Sequence, residues 1–515
     1  MLPILSPSQS AAWDANAVAG GVALATLMEC AGRAAAAVLG ARYAERVGSG
    51  VLVAAGPGHN GGDGWVLARA LHRAEVPVWV ASAGSGSAAL REEMAARARA
   101  EGVRELPPDG PWPGIGLVVD ALLGTGAKGA PRPATAALLE RLFDLSVPVV
   151  AIDGPTGVDL ETGIVHGPGR ADLTITFGGL RRGHLLARDE VGALVVVDIG
   201  HLPPDPEWPS LVSDRDAAEW LRRLRAADHK GSRGRVVVVG GDAGMSGAAR
   251  MAGRAAFGAG AGLVHVVAPA ETVAALAAAE PDLQTFIHPF DREPTAALLD
   301  LVGRADAVII GPGLGRAPGR RELVGRLVRA ARAAVLDADA LVAFQGAAEE
   351  LRALTADRPV VLTPHPGEFR TLFPDLASGR ELDPWAAAAG AAAQSGATVL
   401  LKGVPTVVAR GGRPVLTVAA GNPGLATGGS GDVLSGLVGS ALAQQLPPET
   451  AAALGAQALG RAGDLAARRA SARTIRPMDV VASLPDLWRE WELLRLAPPP
   501  PRPPVLLELA APQTV

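Results

Sequence analysis

Three glycine-rich loops in the first half of the chain carry side chains suited to binding a phosphate and a cation. They are residues 56–64 (GPGHNGGDG), 120–129 (DALLGTGAKG) and 153–159 (DGPTGVD), and each follows a short apolar run. Glycines let backbone N–H groups approach a phosphate closely, and a following helix N-terminus adds partial positive charge. Because ligands bind at the carboxyl ends of strands in an open parallel sheet, we expect the three loops to converge on one site.

The polar side chains of these loops indicate two kinds of ligand. Asn60, Asp120 and Thr156, with backbone carbonyl groups, would suit a hard cation, since such ions prefer oxygen ligands. Glycine N–H groups and Lys128 would suit a pyrophosphate. Taken singly, each aspartate in these loops is about as compatible with a helix cap as with a catalyst. Three such loops in one sheet favour a binding site.

The first loop also fits the pattern of a redox dinucleotide-binding turn. Gly56, Gly58 and Gly61 satisfy GxGxxG, but that interpretation needs an acidic residue near the end of the next strand to bind a ribose. Residues 81–83 after that strand are Ala-Ser-Ala. A hydride-transferring domain is therefore weakly supported. A glycine turn with no ligand is disfavoured as well, since Asn60 and Asp63 are costly residues inside such a turn.

A fourth loop, in the second half, predicts an anion-binding site with a general base. Residues 422–432 (NPGLATGGSGD) run into a helical segment, 433–445. A glycine-rich turn into a helix offers backbone amides to an anion. Asp432 is unfavourable beside a phosphate unless it accepts a proton, although a helix N-cap is the alternative. Lys402, at the start of 402–406 (KGVPT), is a candidate phosphate or ribose contact, with a solvated strand-end charge as the alternative.

Three further loops accompany this one, at 311–315 (GPGLG), 337–341 (DADAL) and 363–368 (TPHPGE). A lone histidine in a loop usually lies on the surface. His365 stands between two prolines, which make its backbone rigid, so a binding role and a surface role are both open. No Walker A sequence is present, which disfavours a P-loop enzyme.

Composition excludes several classes of protein. The 515 residues have a net charge of −4 and only 3% aromatic residues, which disfavours a nucleic-acid partner. The single cysteine, Cys30, excludes an intrachain disulfide framework and a cysteine-rich zinc site, and it fits the reducing cytoplasm. The N-terminus does not resemble a signal peptide, and no apolar run is long enough to cross a membrane. All three lysines lie beside glycine-rich loops: Lys128, Lys230 and Lys402.

The pattern of apolar runs predicts two α/β domains. After helices over residues 1 to about 40, β-branched runs alternate with helical segments, which is typical of a parallel sheet covered on both faces. A proline-rich stretch at 201–209 separates this part from a second one with the same alternation. We therefore expect a Rossmann-like three-layer α/β/α sandwich at 1–211 and a second α/β domain at 212–495. The proline-rich tail, 496–515, is expected to be disordered.

The motifs of the first domain resemble those of the NAD(P)H-hydrate epimerase family. Besides the three loops, residues 27–32 (LMECAG) and 171–178 (ADLTITFG) match in order, so that the resemblance covers nearly all of 1–210. It implies a K⁺ ion held by Asn60, Asp120 and Thr156. Asp153 is then the candidate general base that inverts the hydroxyl-bearing C6 of the hydrated ring. The hydrate would be bound by His59, Asn60, Gly61, Gly62, Asp63, Gly124, Thr125, Gly126, Ala127, Lys128, Gly129, Ala130 and Asp153.

Four residues of the first domain depart from that family's pattern. His59 stands where asparagine is usual and Thr156 where serine is usual, and both keep a hydrogen-bonding group. Gly154 stands where isoleucine is usual, and Arg181 where lysine is usual.

The second domain resembles the ribokinase-like superfamily, and most closely its ADP-dependent NAD(P)H-hydrate dehydratase branch. The motifs are GGSGD, LKGVPT, GPGLG, DADAL and LTPHPGE, over about 213–490. Ser430 replaces the usual threonine, and Val342 replaces the usual asparagine. The hydrate would contact Ala248, Gly313, His365 and Asp432. The nucleotide would contact Lys402, Gly403, Val404, Pro405, Thr406 and Gly431.

Together the two resemblances imply repair of hydrated NADH and NADPH. The chain would interconvert the R and S hydrates and dehydrate the S form with ADP and Mg²⁺, giving NAD(P)H, AMP and phosphate. Asp432 would take the hydroxyl proton. Similar proteins imply a homo-oligomer whose partners are small molecules only. The residues alone do not decide whether the phosphate donor is ADP or ATP. One alternative is a ribokinase-like small-molecule kinase with a non-catalytic N-terminal domain. The other is a non-enzymatic scaffold, in which the polar residues of these loops would be replaced.

Overall fold

The structure, a computed structural model, describes residues 1–84, 88–355, 358–377, 382–498 and 505–512. The chain divides into two compact units, one at 2–208 and one at 209–498, and the described C-terminal residues 505–512 belong to the first. Both units are α/β, as the alternation of apolar runs predicts. The division lies three residues before the expected boundary at 211/212.

The N-terminal unit is built on a parallel sheet with helices on both faces. Its strands are β1 (Leu2–Leu5), β2 (Val51–Ala55), β3 (Val78–Ser82), β4 (Arg104–Leu106), β5 (Leu117–Ala121), β6 (Val149–Ile152), β7 (Leu173–Phe177), β8 (Leu180–Arg181) and β9 (Ala193–Val197). Its helices are α1 (Pro7–Ala19), α2 (Leu24–Arg42), α3 (Ala44–Val47), α4 (His59–Arg73), α5 (Ala89–Ala100), α6 (Pro133–Asp144), α7 (Arg182–Leu186) and α8 (Arg188–Val191). The strand order is β9-β7-β6-β5-β2-β3-β4, and β1 pairs separately with β8.

Burial on both faces explains why these strands are continuous apolar runs. In β2, every residue is buried, and successive side chains enter different cores. Val51, Val53 and Ala55 pack into the larger core with α2 and α4, whereas Leu52 and Ala54 pack into the smaller core with α6. This alternation is the two-residue period of a strand.

The C-terminal unit contains a longer, mostly parallel sheet. Its strands are β10 (Ser210–Leu211), β11 (Arg235–Val239), β12 (Leu263–Ala268), β13 (Gln284–Ile287), β14 (Ala307–Ile310), β15 (Ala334–Leu336), β16 (Val360–Leu362), β17 (Thr398–Leu401), β18 (Thr406–Ala409) and β19 (Leu416–Val418). The order is β13-β12-β11-β14-β15-β16-β17-β18-β19-β10, and β18 is antiparallel to both of its neighbours.

Twelve α-helices and two short 3₁₀ turns, Pro374–Ala377 and Pro423–Leu425, complete the described part of this unit. The helices are α9 (Asp214–Trp220), α10 (Ser246–Gly258), α11 (Ala270–Ala279), α12 (Ala296–Arg304), α13 (Arg320–Ala330), α14 (Asp339–Val342), α15 (Ala348–Thr355), α16 (Pro366–Leu372), α17 (Pro384–Ser395), α18 (Ser430–Ala443), α19 (Pro448–Arg469) and α20 (Pro477–Leu496). Helices α10, α18 and α19 pack together over the sheet. The carboxyl ends of strands β14 to β17 and the start of α18 position the predicted site.

Two expectations at the chain ends are wrong. The first residues are a strand, because Leu2–Leu5 is apolar and pairs with β8 before Pro7 begins the first helix. The C-terminal tail is not disordered throughout, because Val505–Leu509 forms strand β20, which pairs antiparallel with the edge strand β9. Alternate residues of β20 are partly buried, and Val505 packs on the larger core. The expected disorder at 499–504 and 513–515 lies outside the described residues.

Helix α2 is the one helix of the described residues that is long and apolar enough to cross a membrane. Its apolar side is already covered, because Leu27, Met28, Ala31, Ala35 and Leu39 are buried in the larger core. This helix packs chiefly on α4. Such burial is typical of a core helix in a folded domain.

Candidate active sites

The three loops of the N-terminal unit leave neighbouring parallel strands at the same edge of the sheet. Strand β5 pairs with β2 on one side and with β6 on the other. Residues 56–64, 122–130 and 153–159 follow these three strands. The loops touch closely, because a Cβ added at Gly56 would lie 1.7 Å from the carbonyl oxygen of Leu122. Convergence of the loops, expected from the sequence, is therefore observed.

Asp153 lies at the centre of this edge with both carboxylate oxygens bonded. Its Oδ2 accepts hydrogen bonds from the backbone N–H and the hydroxyl of Thr125, at 2.6 and 2.5 Å. Its Oδ1 accepts weaker ones from the hydroxyl of Thr176 at 3.3 Å and from Arg181 at 3.4 Å. Only 14% of the Asp153 side chain is exposed. The carboxylate is thus fixed in orientation while part of it faces solvent.

The charge state of Asp153 is set by two opposing effects. Burial raises the pKa of its carboxyl, but the Arg181 guanidinium and the hydrogen bonds from Thr125 outweigh burial and leave the pKa below its usual value. The Arg181 side chain is itself only 6% exposed, and it also contacts the Thr125 hydroxyl at 3.1 Å. Asp153 is therefore an ionised carboxylate at neutral pH.

Asn60, Asp120 and Thr156, the predicted cation ligands, lie at the same edge of the sheet, in the first turn of α4, near the end of β5 and in the loop after β6. Asp120 is buried and accepts hydrogen bonds from the backbone N–H and the hydroxyl of Thr156, both at 2.8 Å. Burial raises the pKa of Asp120, although these hydrogen bonds oppose the change. Among the described residues, the buried side-chain amide of Asn60 has no hydrogen-bond partner on either polar atom. An unpartnered buried oxygen is costly unless a ligand contacts it.

The remaining predicted residues of this unit divide into a buried group and an exposed rim. Asn60, Gly61 and Gly62 are buried in the first turn of α4, Asp63 is partly buried, and His59 is exposed. Helix α4 begins at His59, and no described side chain caps it, so that its N-terminal amides can face an anion. Burial and the nearby Asp153 raise the pKa of Asp63 well above its usual value.

Gly124 lies beside the buried group, since a Cβ on it would be 2.9 Å from Oδ2 of Asp153 and 3.2 Å from Asn60. The rest of its loop is open. Gly126 and Gly129 have free space around them, and Thr125, Ala127 and Ala130 complete the rim. Lys128 is 70% exposed and forms an ion pair with Glu161 at 3.3 Å. The described contacts therefore do not bring the Lys128 ammonium onto Asp153.

His184 and Arg181 also belong to this site, although neither was predicted as a site residue. His184 is fully buried, and its Nε2 lies 2.6 Å from the carbonyl oxygen of Asp153. Arg181 reaches the carboxylate of the same residue. Arg181 was indicated only by the lysine that the family usually has at that position. Nothing in the sequence indicated a role for His184.

In the C-terminal unit, four predicted loops leave adjacent strands. Strands β14, β15, β16 and β17 are neighbours in that order and all parallel. The loops at 311–315, 337–341, 363–368 and 402–406 follow them. Backbone contacts join these loops, because the N–H of Lys402 donates to the carbonyl of Pro364 at 2.9 Å. A Cβ added at Gly311, whose φ is 126°, would lie 1.8 Å from the carbonyl oxygen of Asp337.

A buried ion pair lies beneath the GGSGD turn. The Lys402 ammonium contacts Oδ1 of Asp337 at 2.9 Å and a Glu368 oxygen at 3.8 Å. The hydroxyl of Ser435 donates to the other oxygen of Asp337 at 2.6 Å. Gly431 lies on this pair, since a Cβ there would be 3.4 Å from the ammonium nitrogen. These carboxylates keep the pKa of Lys402 above its usual value although burial opposes them.

Asp432 is in the first turn of α18, which begins after Gly429 without a side-chain cap. Burial raises the pKa of Asp432 to about 7, repulsion from Asp337 adds to this effect, and Lys402 opposes it. A carboxylate that titrates near neutrality suits a general base. The alternative of a plain N-cap fails, because Gly429 occupies the N-cap position.

The other predicted residues of this unit have more varied surroundings. Gly313 lies against Ala248, 3.2 Å from an added Cβ, so these two predicted hydrate contacts meet. His365 is 54% exposed and is the N-cap of α16, where its Nδ1 accepts from the N–H of Gly367 at 2.9 Å. Its ring remains open to solvent. Gly403 and Val404 are exposed, and Val404 is among the most exposed large apolar residues, whereas Pro405 is buried. Thr406 closes this turn through its hydroxyl.

Asp337 and Glu368 contact the Lys402 ammonium, and Ser435 donates to Asp337, but none of the three was predicted as a site residue. Asp337 and Glu368 lie in loops that the sequence analysis marked, and their position after parallel strands was the available signal. Ser435 has no such signal. The helix geometry of α18 sets the position of Ser435. It lies one turn after Gly431, and its hydroxyl donates to the carbonyl of that residue.

Comparisons with known proteins agree with this division into two sites. A family model described as NAD(P)H-hydrate dehydratase matches residues 236–486, and one described as YjeF-related protein N-terminus matches residues 24–183. The bifunctional NAD(P)H-hydrate repair enzyme of Escherichia coli is 36% identical over 475 residues, which covers 90% of this chain and 89% of that protein. The corresponding enzyme of Moorella thermoacetica is 37% identical over 474 residues, covering 86% and 88%.

Among solved structures, a ribokinase-like superfamily protein of Enterococcus faecalis matches at a TM-score of 0.49 and 26% identity, covering 55% of this chain and 96% of that one. The two family models fall on separate units, one with Asp153 and one with Asp432. The curated relatives match over most of both chains. The chain therefore belongs to the family of bifunctional NAD(P)H-hydrate repair enzymes.

Proposed function

We propose that this chain repairs hydrated NADH and NADPH with one catalytic carboxylate in each unit. The N-terminal unit interconverts the R and S hydrates, and the C-terminal unit dehydrates the S form at the expense of ADP. The observation that carries the proposal is the contrast between two partly buried carboxylates. Arg181 and Thr125 keep Asp153 ionised, whereas burial brings the pKa of Asp432 to about 7. Environments that separate the pKa values of two acids commonly separate their catalytic roles.

In the dehydratase unit, Asp432 accepts the proton of the C6 hydroxyl while that oxygen bonds to the β-phosphorus of ADP. The bond from this phosphorus to its bridging oxygen breaks, and AMP leaves. Cleavage of the C6–O bond then releases phosphate, and loss of a proton from the neighbouring ring carbon restores the dihydropyridine. Amides at the start of α18 face the phosphates. Mg²⁺, when bound with the nucleotide, neutralises phosphate charge.

The nucleotide in this proposal lies on the loop 402–406 and on Gly431. The closeness of Gly431 to the Lys402 ammonium supports it, because a bound phosphate would then contact both an amide and a cation. The hydrate contacts Ala248, Gly313 and the exposed ring of His365. The contact between Gly313 and Ala248 supports a single surface for this ligand.

In the epimerase unit, Asp153 accepts a proton from the hydrate while the configuration at the hydroxyl-bearing C6 is inverted and then returns it, and the hydrate lies against residues 59–63 and 124–130. Asn60, Asp120 and Thr156 fit a K⁺ ion, because all three side chains carry oxygen and the oxygen of Asn60 is buried without a partner in the described residues. When bound, K⁺ supplies positive charge beside the substrate. We expect the enzyme to work in the cytoplasm as a homo-oligomer.

The test follows the near-ultraviolet absorbance of the dihydropyridine after separate R and S hydrates are mixed with enzyme, K⁺, Mg²⁺ and ADP. Asp432→Asn should abolish recovery of NADH from both epimers. Asp153→Asn should slow recovery from the R epimer alone. Exposed aspartates provide matched controls, Asp282→Asn in the second unit and Asp109→Asn in the first. Equal loss from both epimers with Asp153→Asn would contradict the division of labour.

The reaction products distinguish hydrate repair from the alternative of a small-molecule kinase. A small-molecule kinase accumulates a phosphorylated product, whereas repair yields AMP, free phosphate and NAD(P)H. Phosphorus NMR of the same reaction distinguishes them. A stable phosphate ester that persists with the wild-type enzyme would overturn the repair function of the C-terminal unit.

A further inference from the structure

A single buried imidazole joins the backbones of two residues whose side chains meet in the epimerase site. Nε2 of His184 lies 2.6 Å from the carbonyl oxygen of Asp153, and its Nδ1 accepts the backbone N–H of Arg181 at 3.0 Å. The ring is completely buried. The side chains of Asp153 and Arg181 form the ion pair of the site. One ring therefore connects both members of that pair.

The two partners fix the tautomer of His184. A backbone N–H can only donate, so Nδ1 must be unprotonated to accept from Arg181. A carbonyl can only accept, so Nε2 must carry the hydrogen that is donated to Asp153. Both ring nitrogens are thus used by a neutral ring. Burial together with repulsion from Arg181 lowers the pKa of His184 to about 4, in agreement with this state.

The carbonyl that His184 contacts belongs to an unusual piece of backbone. Asp153 has a φ of 65°, in the left-handed region that residues other than glycine rarely adopt. The next residue is Gly154, which lacks a Cβ to restrict the adjoining peptide. A Cβ at Gly154 would lie 2.6 Å from the side chain of Leu160, so the usual isoleucine does not fit this packing. The hydrogen bond from His184 supplies a restraint on that peptide.

We propose that His184 is a positioning residue for the epimerase, which acts by holding the backbone of Asp153 so that its carboxylate meets Arg181 and the substrate. The proposal rests on the proposed role of Asp153. Its competitor is a structural role in which His184 only caps helix α7 through the N–H of Arg181. The two roles use different nitrogens of the same ring, and side chains that mimic one nitrogen at a time separate them.

Three variants make the test. His184→Gln keeps a donor near the Nε2 position, His184→Asn keeps an acceptor near the Nδ1 position, and His184→Leu keeps neither. Interconversion of purified R and S hydrates is measured by chromatography without ADP, so that dehydration does not contribute. Positioning of Asp153 predicts that Gln retains kcat within about threefold, while Asn and Leu lose about 30- to 100-fold with KM little changed. Dehydration of the S hydrate with ADP should be unaffected in all three.

The reverse order, with Asn active and Gln impaired, would overturn the positioning role in favour of the cap. The positioning role would also be overturned if His184→Asn and His184→Leu both kept kcat within about threefold of wild type. If the Leu variant unfolds, the comparison of Gln with Asn decides alone. A wild-type enzyme that does not interconvert the epimers would refute the proposed epimerase function itself, and so the two failures are distinguishable.

Discussion

Replacing Asp337 by asparagine should shift the pH dependence of dehydration, because Asp337 is one cause of the raised pKa of Asp432. Burial is the larger cause and remains, but repulsion from Asp337 is removed. The amide oxygen of the new side chain can still accept a hydrogen bond from Lys402 or Ser435, which both donate to the carboxylate in the wild type. The attraction between Lys402 and Asp432 is then opposed by one carboxylate fewer, while Glu368 and Asp339 remain.

The size of the shift follows from the charges. A neighbouring charge shifts a carboxyl pKa by roughly one unit or more, so removal of the Asp337 charge should lower the pKa of Asp432 from about 7 to about 6. A general base works when it is ionised. At pH 6 the ionised fraction of Asp432 should rise from about one tenth to about one half, roughly a fivefold change in relative rate.

The assay is kcat for the S hydrate with saturating ADP and Mg²⁺, measured over roughly pH 5 to 9. The wild-type rate should rise with pH through an apparent pKa near 7, and the Asp337→Asn limb should lie about one unit lower. The quantity compared is the apparent pKa of the acidic limb of the pH profile. The absolute rate is less informative, because it also depends on how well Lys402 is oriented. Asp282→Asn, an exposed change in the same unit, should leave the limb in place. An acidic limb that does not move with Asp337→Asn refutes the assignment of Asp432 as the base.

Three other changes test the epimerase unit. Asn60→Ala should remove the dependence of epimerisation on K⁺ and any rise in melting temperature on adding K⁺, and a K⁺ response equal to wild type would exclude Asn60 as a ligand. Gly61→Ala should cost about 2 kcal/mol or more in denaturant unfolding, because its Cβ would lie 2.0 Å from the carbonyl oxygen of Gly56. Deletion of 505–512 should destabilise this unit by about 1 to 3 kcal/mol, since β20 pairs with β9 and Val505 packs on the core; an unchanged unfolding midpoint would show that the strand contributes nothing.

The order of the chemistry-bearing loops could be predicted from sequence because it depends on strand ends. Continuous apolar runs such as 149–152 mark buried parallel strands, and the residue that follows each run lies at the carboxyl edge. This logic gave Asp120, Asp153 and Lys402 their correct places. It failed at the chain ends. Val505–Leu509 follows a run of prolines that indicated disorder, and the edge of β9 gives it a partner that the sequence does not show.

The contacts that tune the site could not be predicted, because they join residues distant in sequence. His184 is 31 residues from Asp153, and Ser435 is 98 residues from Asp337. Neither residue type is unusual in its segment. The Lys128 side chain shows the same limit, although its contact with a phosphate stays a prediction. Its rarity and its glycine-rich loop favoured a phosphate contact, yet its ammonium is exposed and paired with Glu161. Scarcity of lysine identifies a residue worth examining, but the direction of the side chain is a property of the fold.

The two units show how the same functional group acquires two protonation states. Asp153 and Asp432 are both partly buried, and burial raises the pKa of each. At Asp153 a guanidinium and two donors from Thr125 reverse that effect, whereas at Asp432 the nearest cation, Lys402, is already shared with Asp337 and Glu368. A cation committed to other carboxylates compensates a third one poorly, so Asp432 stays able to accept a proton near neutrality. The difference between the two bases thus depends on how many acids share each cation rather than on burial.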